Sequence, residues 1–336
     1  MVADTITPSP RLGERVARTR SADKKVREGL GNAAILVGAW LLLILVSTIN
    51  RPDFLSRQTL LSIAFTMSII GVLSLAEGLV TISGGILDLS IPTVLILSSW
   101  IAVTLLERDW DTWVVAVLTI ATGMSWGLLN AAVIVYGKIN PIIVTLGTNF
   151  AGMAVMLLVF QSAQVPVQSE LSRFGQGYFL GLPNVFWPML LLVLIVGFLM
   201  QHTRYGRRTI AVGGNPAAAK SRGISLAKTR FGVFAAAGAL GGVAALLFVG
   251  SNASFTPKDG AGYLLPVVAV VILAGISLSG GRGHLWVILI SVGFLSTLPV
   301  SLVFFGLSSS WQAVAQGAIL IVAVMIDGLR QKRSSR

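Results

Sequence analysis

Ten stretches of 16 to 24 residues, nearly free of charged side chains, alternate along this chain with more polar ones. They run over 32–49, 60–80, 91–106, 113–136, 142–160, 185–200, 231–250, 264–279, 285–305 and 311–328. A helix needs about 20 apolar residues to cross the ~30 Å hydrocarbon core, so each stretch predicts a membrane-spanning helix. Open sheets would leave backbone groups unsatisfied in lipid. The expected fold class is an all-α polytopic membrane protein with about ten transmembrane helices. The first stretch begins after about 30 mostly polar residues and no small-x-small cleavage pattern follows it. That fits an uncleaved first span better than a signal peptide.

Composition narrows the class. Of 336 residues 54% are hydrophobic and 11% charged, where a soluble domain carries about 25% charged residues. The net charge of +12 would suit nucleic acid, but most of it lies in tails and loops beside the spans, so no nucleic-acid partner is expected. With the N-terminus inside, the cytoplasmic segments collect 20 basic residues and the opposite side 5, the bias expected of inward-facing loops. Both termini are then cytoplasmic and the number of spans is even. The domain plan that follows is a basic tail over 1–30, a membrane domain over 31–330 containing a polar loop at 203–230, and a short basic C-terminus at 331–336. Cysteine is absent, which excludes disulfides and thiolate metal sites.

The loop at 203–230 carries seven Lys or Arg and no acid. Within it Asn215 is a good N-cap, Pro216 suits the first helical position, and Gly223 can close a helix in the left-handed conformation. The predicted helix, 215–222, is about two turns, or ~12 Å long. So short a helix is marginal alone and must pack against the membrane domain or a partner. On charge alone the same segment reads equally as an ordinary basic loop. The segment 162–184 is expected to be either a short surface feature over the membrane domain or a flexible connector. Tryptophans near span ends suit interfacial anchoring.

No set of residues supports catalysis. The two histidines, His202 and His284, lie far apart in sequence with no cysteine near them, a poor metal site. The one Gly-Lys pair, Gly137 and Lys138, continues with Ile139, so a GxxxxGK[ST] phosphate loop is missing. No catalytic residue, metal or cofactor is assigned to this chain. Candidate polar positions lie within the apolar runs. Glu77 should face protein or water, because a charge at the bilayer centre costs about 2.5–3.5 kcal/mol on insertion scales. It reads as part of a polar path, as a packing hydrogen bond, or as a carboxylate snorkelling to the interface. Asp88, or Ser90 beside it, reads as a cap for the helix that Pro92 enters. In the segment TLGTN the hydroxyls of Thr145 and Thr148 can bond back to their own helix, whereas Asn149 needs a partner or a water-lined cavity; the three are taken with Glu77 and Asp88 as a possible translocation path.

Several pieces together resemble one family. GGILDLSIP at 84–92, NPIIVTLGT at 140–148, RRTIAVGGNPAAAKSRGIS at 207–225, GGRG at 280–283 and the final run from Trp311 to Arg330 resemble, in the same order, the permease subunits of ribose-type sugar ABC importers. Leu87 adds a residue within the first pattern, and Ile91-Pro92 stand where the family has Val-Gly. The resemblance implies a bacterial inner-membrane, multi-pass permease that moves a sugar or similar small polar solute. It further implies cytoplasmic ATPase subunits that bind the ATP and magnesium, a periplasmic solute-binding protein and a second permease copy. Carried onto this chain, the ATPase-coupling pattern falls on Gly213, Gly214, Asn215, Ala218, Ala219, Gly223 and Ile224, with Pro216, Arg207 and Arg208 in the same loop. The competing reading is an ion-coupled secondary transporter, for which Glu77 is the only acid well inside a span.

Overall fold

The computed structural model describes residues 33–84, 86–160, 164, 168–252 and 254–334. The expected N-terminal tail, Gly85 of the first family pattern and parts of the 162–184 segment lie outside the described residues. The chain is built from α1 (Ala33–Asn50), α2 (Arg57–Ile82), α3 (Ile91–Leu106), α4 (Thr112–Gly137) and α5 (Pro141–Val159). Next come α6 (Glu170–Gln176), a hairpin of β1 (Tyr178–Phe179) and β2 (Leu182–Pro183), α7 (Phe186–His202), α8 (Arg204–Gly214) and α9 (Pro216–Ser221). Finally come α10 (Leu226–Ser251), α11 (Pro257–Ala261), α12 (Leu264–Leu273), α13 (Ile288–Phe304) and α14 (Ser309–Ser334).

Among the described residues, six helices are long and apolar enough to cross a membrane. They are α1, α2, α4, α5, α10 and the stretch Leu285–Phe304 that ends in α13. The pair α7 and α8, bent by 73°, makes a seventh if taken as one span. The predicted runs 91–106 and 311–328 appear as α3 and the apolar part of α14, both shorter. The chain is thus a polytopic all-α membrane protein. Large apolar side chains on α4, α5 and α7, such as Val117, Ile143, Leu158 and Phe198, are exposed, as lipid-facing surfaces require.

Two helices occupy the centre. α2 is apolar around most of its circumference and is buried along most of its length by α10, α13, α7 and α12. α10 packs most closely on α4, and small residues set that distance. A β-carbon on Gly127 would collide with the Phe234 carbonyl, and one on Gly123 with the Gly238 carbonyl. Close approach through small residues is how helices associate in lipid, where no hydrophobic force draws one helix to another.

Three expectations need correction. The run 264–279 is helical only to Leu273, because Gly275 adopts φ +71°. Its N–H bonds Ile272 O at 2.9 Å and Ile276 N–H bonds Val271 O at 3.2 Å, the paired bonds that end a helix. The segment 203–214 is a helix rather than a loop: Thr203 Oγ1 accepts from Gly206 N–H at 3.3 Å to start it. And neither Asp88 nor Ser90 caps α3 through its side chain, although Ser90 holds the N-cap position. The 162–184 segment, where described, is a packed feature: Gly175 sits directly on Gly250, and Tyr178 meets Phe65 edge-on at 6.3 Å.

Gly127→Ala is expected to lower the midpoint of thermal unfolding in detergent, at a cost of about 1–3 kcal/mol from overpacking. Gly38→Ala, where an added β-carbon meets nothing within 4 Å, should leave the midpoint unchanged or raise it, since alanine favours helix over glycine by about 1 kcal/mol. Equal midpoints in the two variants would contradict the crossing described.

Candidate functional site

Between α2 and α3 the chain leaves helical geometry at Ser83, Gly84 and residues 86–90, and the backbone groups released there need partners inside the protein. Glu77, one turn before the end of α2 and fully buried, supplies one. Its two carboxylate oxygens accept the Asp88 N–H at 3.2 Å each, and Oε1 also accepts the Thr81 hydroxyl at 3.2 Å. Asp88 turns back on its own chain, its Oδ1 accepting from Ser90 N–H at 2.9 Å and Ser90 Oγ at 2.6 Å. This is the local loop that aspartate makes with the residue two positions on. Buried carboxylates are tolerable only with such donors.

The bonds continue into α4 and α5. Asn130 Nδ2 donates to Ser90 Oγ at 2.8 Å, and Asn130 Oδ1 accepts from Thr148 Oγ1 at 2.8 Å. Thr145 Oγ1 accepts from Leu89 N–H at 3.1 Å. Thr93 Oγ1 donates to Asn149 Oδ1 at 2.9 Å. Glu77, Asp88, Thr145, Thr148 and Asn149, singled out from sequence, therefore lie together in one polar seam across α2, α3, α4 and α5. A cavity of about 10 Å³ beside Glu77 and Asp88 is lined also by Ala237 and Gly241 of α10, room for about one water molecule. Sequence reasoning missed Asn130 and Thr93. A lone amide in the apolar run 113–136 was the signal for Asn130, the same signal that exposed Asn149.

Below the seam lies a second cluster, built on the C-terminal end of α2. The last carbonyls of a helix lack intrahelical partners. Ile82 O accepts from Gly281 N–H at 2.8 Å. Gly281 holds φ +68° within the GGRG turn. Gly213, at the end of α8, packs so tightly that a β-carbon would collide with Ile82 O and stand 2.7 Å from Gly281 N. Gly214 in turn lies against Gly281. Three main-chain segments thus meet at one carbonyl, with no side chain between them.

The segment beyond that joint matches the expected short helix closely. Asn215 Oδ1 accepts from Ala218 N–H at 2.9 Å, and Pro216 opens α9. Gly223 holds φ +77°, its N–H bonding Lys220 O at 3.0 Å while Ile224 N–H bonds Ala219 O at 3.0 Å. Ala219 is buried, whereas Ala218 faces outward. Contacts with α8 and α10 hold this helix of six residues. Gly213 and Gly214, expected in a loop, belong to α8. Arg204, Arg207, Arg208, Lys220, Arg222 and Lys228 are all exposed here, so this is the basic end of the bundle. Arg207 donates to His202 O at 3.0 Å.

The sequence of this chain is similar to those of several known transport proteins. The family described as the permease component of branched-chain amino acid transport systems matches residues 59–324. The ribose import permease protein RbsC of Bacillus subtilis is 33% identical over 294 residues, covering 87% of this chain and 91% of that protein. RbsC of Escherichia coli K12 is 29% identical over 309 residues, covering 88% and 93%. The L-arabinose ABC transporter permease protein AraH of Azospirillum brasilense is 26% identical over 330 residues, covering 97% and 95%. With four-fifths of its length inside the matched region, this chain belongs to that family of transport-system permease components.

Proposed function

We propose that this chain is the membrane-spanning permease of an ATP-driven importer for a sugar or closely related polyhydroxylated solute. A periplasmic binding protein delivers the solute, and a separate cytoplasmic ATPase binds the ATP and magnesium and supplies the energy. In this reading the protein sits in a bacterial inner membrane with about ten spans and both termini in the cytoplasm, and it works with a second permease copy. The ribose and arabinose permeases to which it is similar favour this over the ion-coupled alternative and point to a pentose-like solute.

The observation that carries the reading is the direct main-chain contact between α8 and the end of α2 at Ile82. On it, α9 and the exposed arginines form the surface that meets the ATPase, with Arg207 and Arg208 at its edge. Movement applied to α8 and α9 then reaches α2, and five residues further up reaches Glu77 and the polar seam. The seam offers a succession of hydroxyl and amide groups suited to a solute that must be bound weakly and released. A rigid element displaced at one end and a packed bundle with two arrangements are sufficient for alternating access.

The test is uptake of labelled pentose by proteoliposomes containing this chain, the ATPase and the binding protein. Gly213→Ala is expected to reduce ATP-driven uptake by about 5- to 150-fold, the usual span of coupling between sites, while ATPase continues to co-purify. The Arg207→Glu, Arg208→Glu double variant should lose uptake through loss of ATPase association. Solute uptake driven by an ion gradient without any ATPase would overturn the assignment.

The seam makes its own prediction. Asn130→Ala removes one partner each from Thr148 Oγ1 and Ser90 Oγ, which keep Thr145 O and Asp88 Oδ1, and should cost about 0.5–1.5 kcal/mol of stability for each bond lost. In a double-mutant cycle with Thr148→Val, measured by thermal unfolding, the two changes should be non-additive by about 0.5–3 kcal/mol. Additive costs would mean that the two side chains do not interact.

A further inference from the structure

At the basic end, one flank of the bundle forms a groove that the transport reading leaves unused. Its floor is α10 at Phe231 and Gly232. On one side Tyr136 of α4, 78% exposed, tilts against the Phe231 ring at 5.8 Å. On the other, the Tyr205 ring of α8 lies 3.5 Å from where a β-carbon on Gly232 would stand. Glycine at 232 therefore keeps the floor low between two tyrosines. Further along the same face of α10, Ala235 and Ala239 remain partly open, and the small side chains extend the groove towards the apolar middle of the helix.

The mouth of the groove is cationic. Lys228 is one turn before Phe231 and Gly232, on the same helical face. Lys138 follows Tyr136 by two residues and holds φ +53° at the end of α4. Both lysines are exposed, and neither ammonium has a hydrogen-bond or ion-pair partner among the described residues. Arg204, Arg207, Arg208, Lys220 and Arg222 are exposed at the same end, so a second copy presenting this end would bring like charge to the mouth. Lysines at the mouth, amphipathic tyrosines beside them and small apolar residues behind match the headgroup, interfacial and acyl zones of a lipid.

We infer that this groove between α4, α8 and α10 binds an anionic phospholipid, its phosphate between Lys138 and Lys228 and an acyl chain along Gly232 and Ala235. The inference depends on the chain lying in a membrane and not on which solute it carries. Native mass spectrometry of the full chain in detergent, with phosphatidylglycerol and phosphatidylcholine at equal concentration, tests it. Phosphatidylglycerol adducts should dominate. Lys138→Gln and Lys228→Gln should each weaken them about fivefold, the worth of one basic residue near a charged lipid, with phosphatidylcholine adducts unchanged. Tyr136→Ala should weaken both. If the double lysine variant is not recovered, either single variant supplies the comparison, since both positions are exposed.

Equal adducts of the two lipids in the unaltered protein, or phosphatidylglycerol binding indifferent to both lysines, would overturn the proposal. So would displacement of the lipid by inorganic phosphate alone, which would make this a free-phosphate site. Loss of ATPase association in the lysine variants, with phosphatidylglycerol binding intact, would instead assign the lysines to the protein partner.

Discussion

The structure depends on how a chain interrupts a helix inside a membrane without leaving its backbone unpaired. Between α2 and α3 it does so through Glu77, whose carboxylate takes the Asp88 N–H on both oxygens at 3.2 Å. Without that acceptor the irregular turn would hold an unsatisfied donor in an apolar layer, where each such group costs several kcal/mol. Once the turn is pinned, Asp88 can fold back onto Ser90, and Ser90 is presented to Asn130. The polar seam is therefore a consequence of the break in the helix as much as a set of residues chosen for a solute.

Much of this was legible in the sequence because it is written in side chains. The TLGTN segment stood out as polar atoms in an apolar run, and its threonines and asparagine do find partners in the seam. The Asn-Pro opening and Gly223 ending of α9 follow from local rules of capping and left-handed backbone, which need no tertiary knowledge. What escaped was of two kinds. α8 was hidden by its charge: Arg204, Arg207 and Arg208 read as a loop, although buried Gly206, Thr209 and Gly213 recur at helical spacing along one face. The joint at Ile82 was hidden more deeply: the glycines at 213 and 281 are visible as residues, but nothing in their identity says that they meet each other at the Ile82 carbonyl, a main-chain group that any residue carries.

The same economy of small residues recurs at several contacts between segments. Gly123 and Gly127 against α10, Gly213 against α2, and Gly175 against Gly250 bring backbones into direct contact. In lipid such contacts supply dispersion attraction that longer side chains would prevent. They also divide the protein into a tightly knit centre, formed by α2, α4 and α10, and looser outer helices such as α1 and α5 that show lipid much of their surface.

The joint at Ile82 has a mechanical corollary. A linkage made through long side chains has play in it, since each rotatable bond can absorb part of a displacement before anything beyond it moves. Here the Ile82 carbonyl, the Gly281 amide and the Gly213 α-carbon meet with no side-chain torsion between them, so α8 could not shift along α2 without displacing the end of α2 as well.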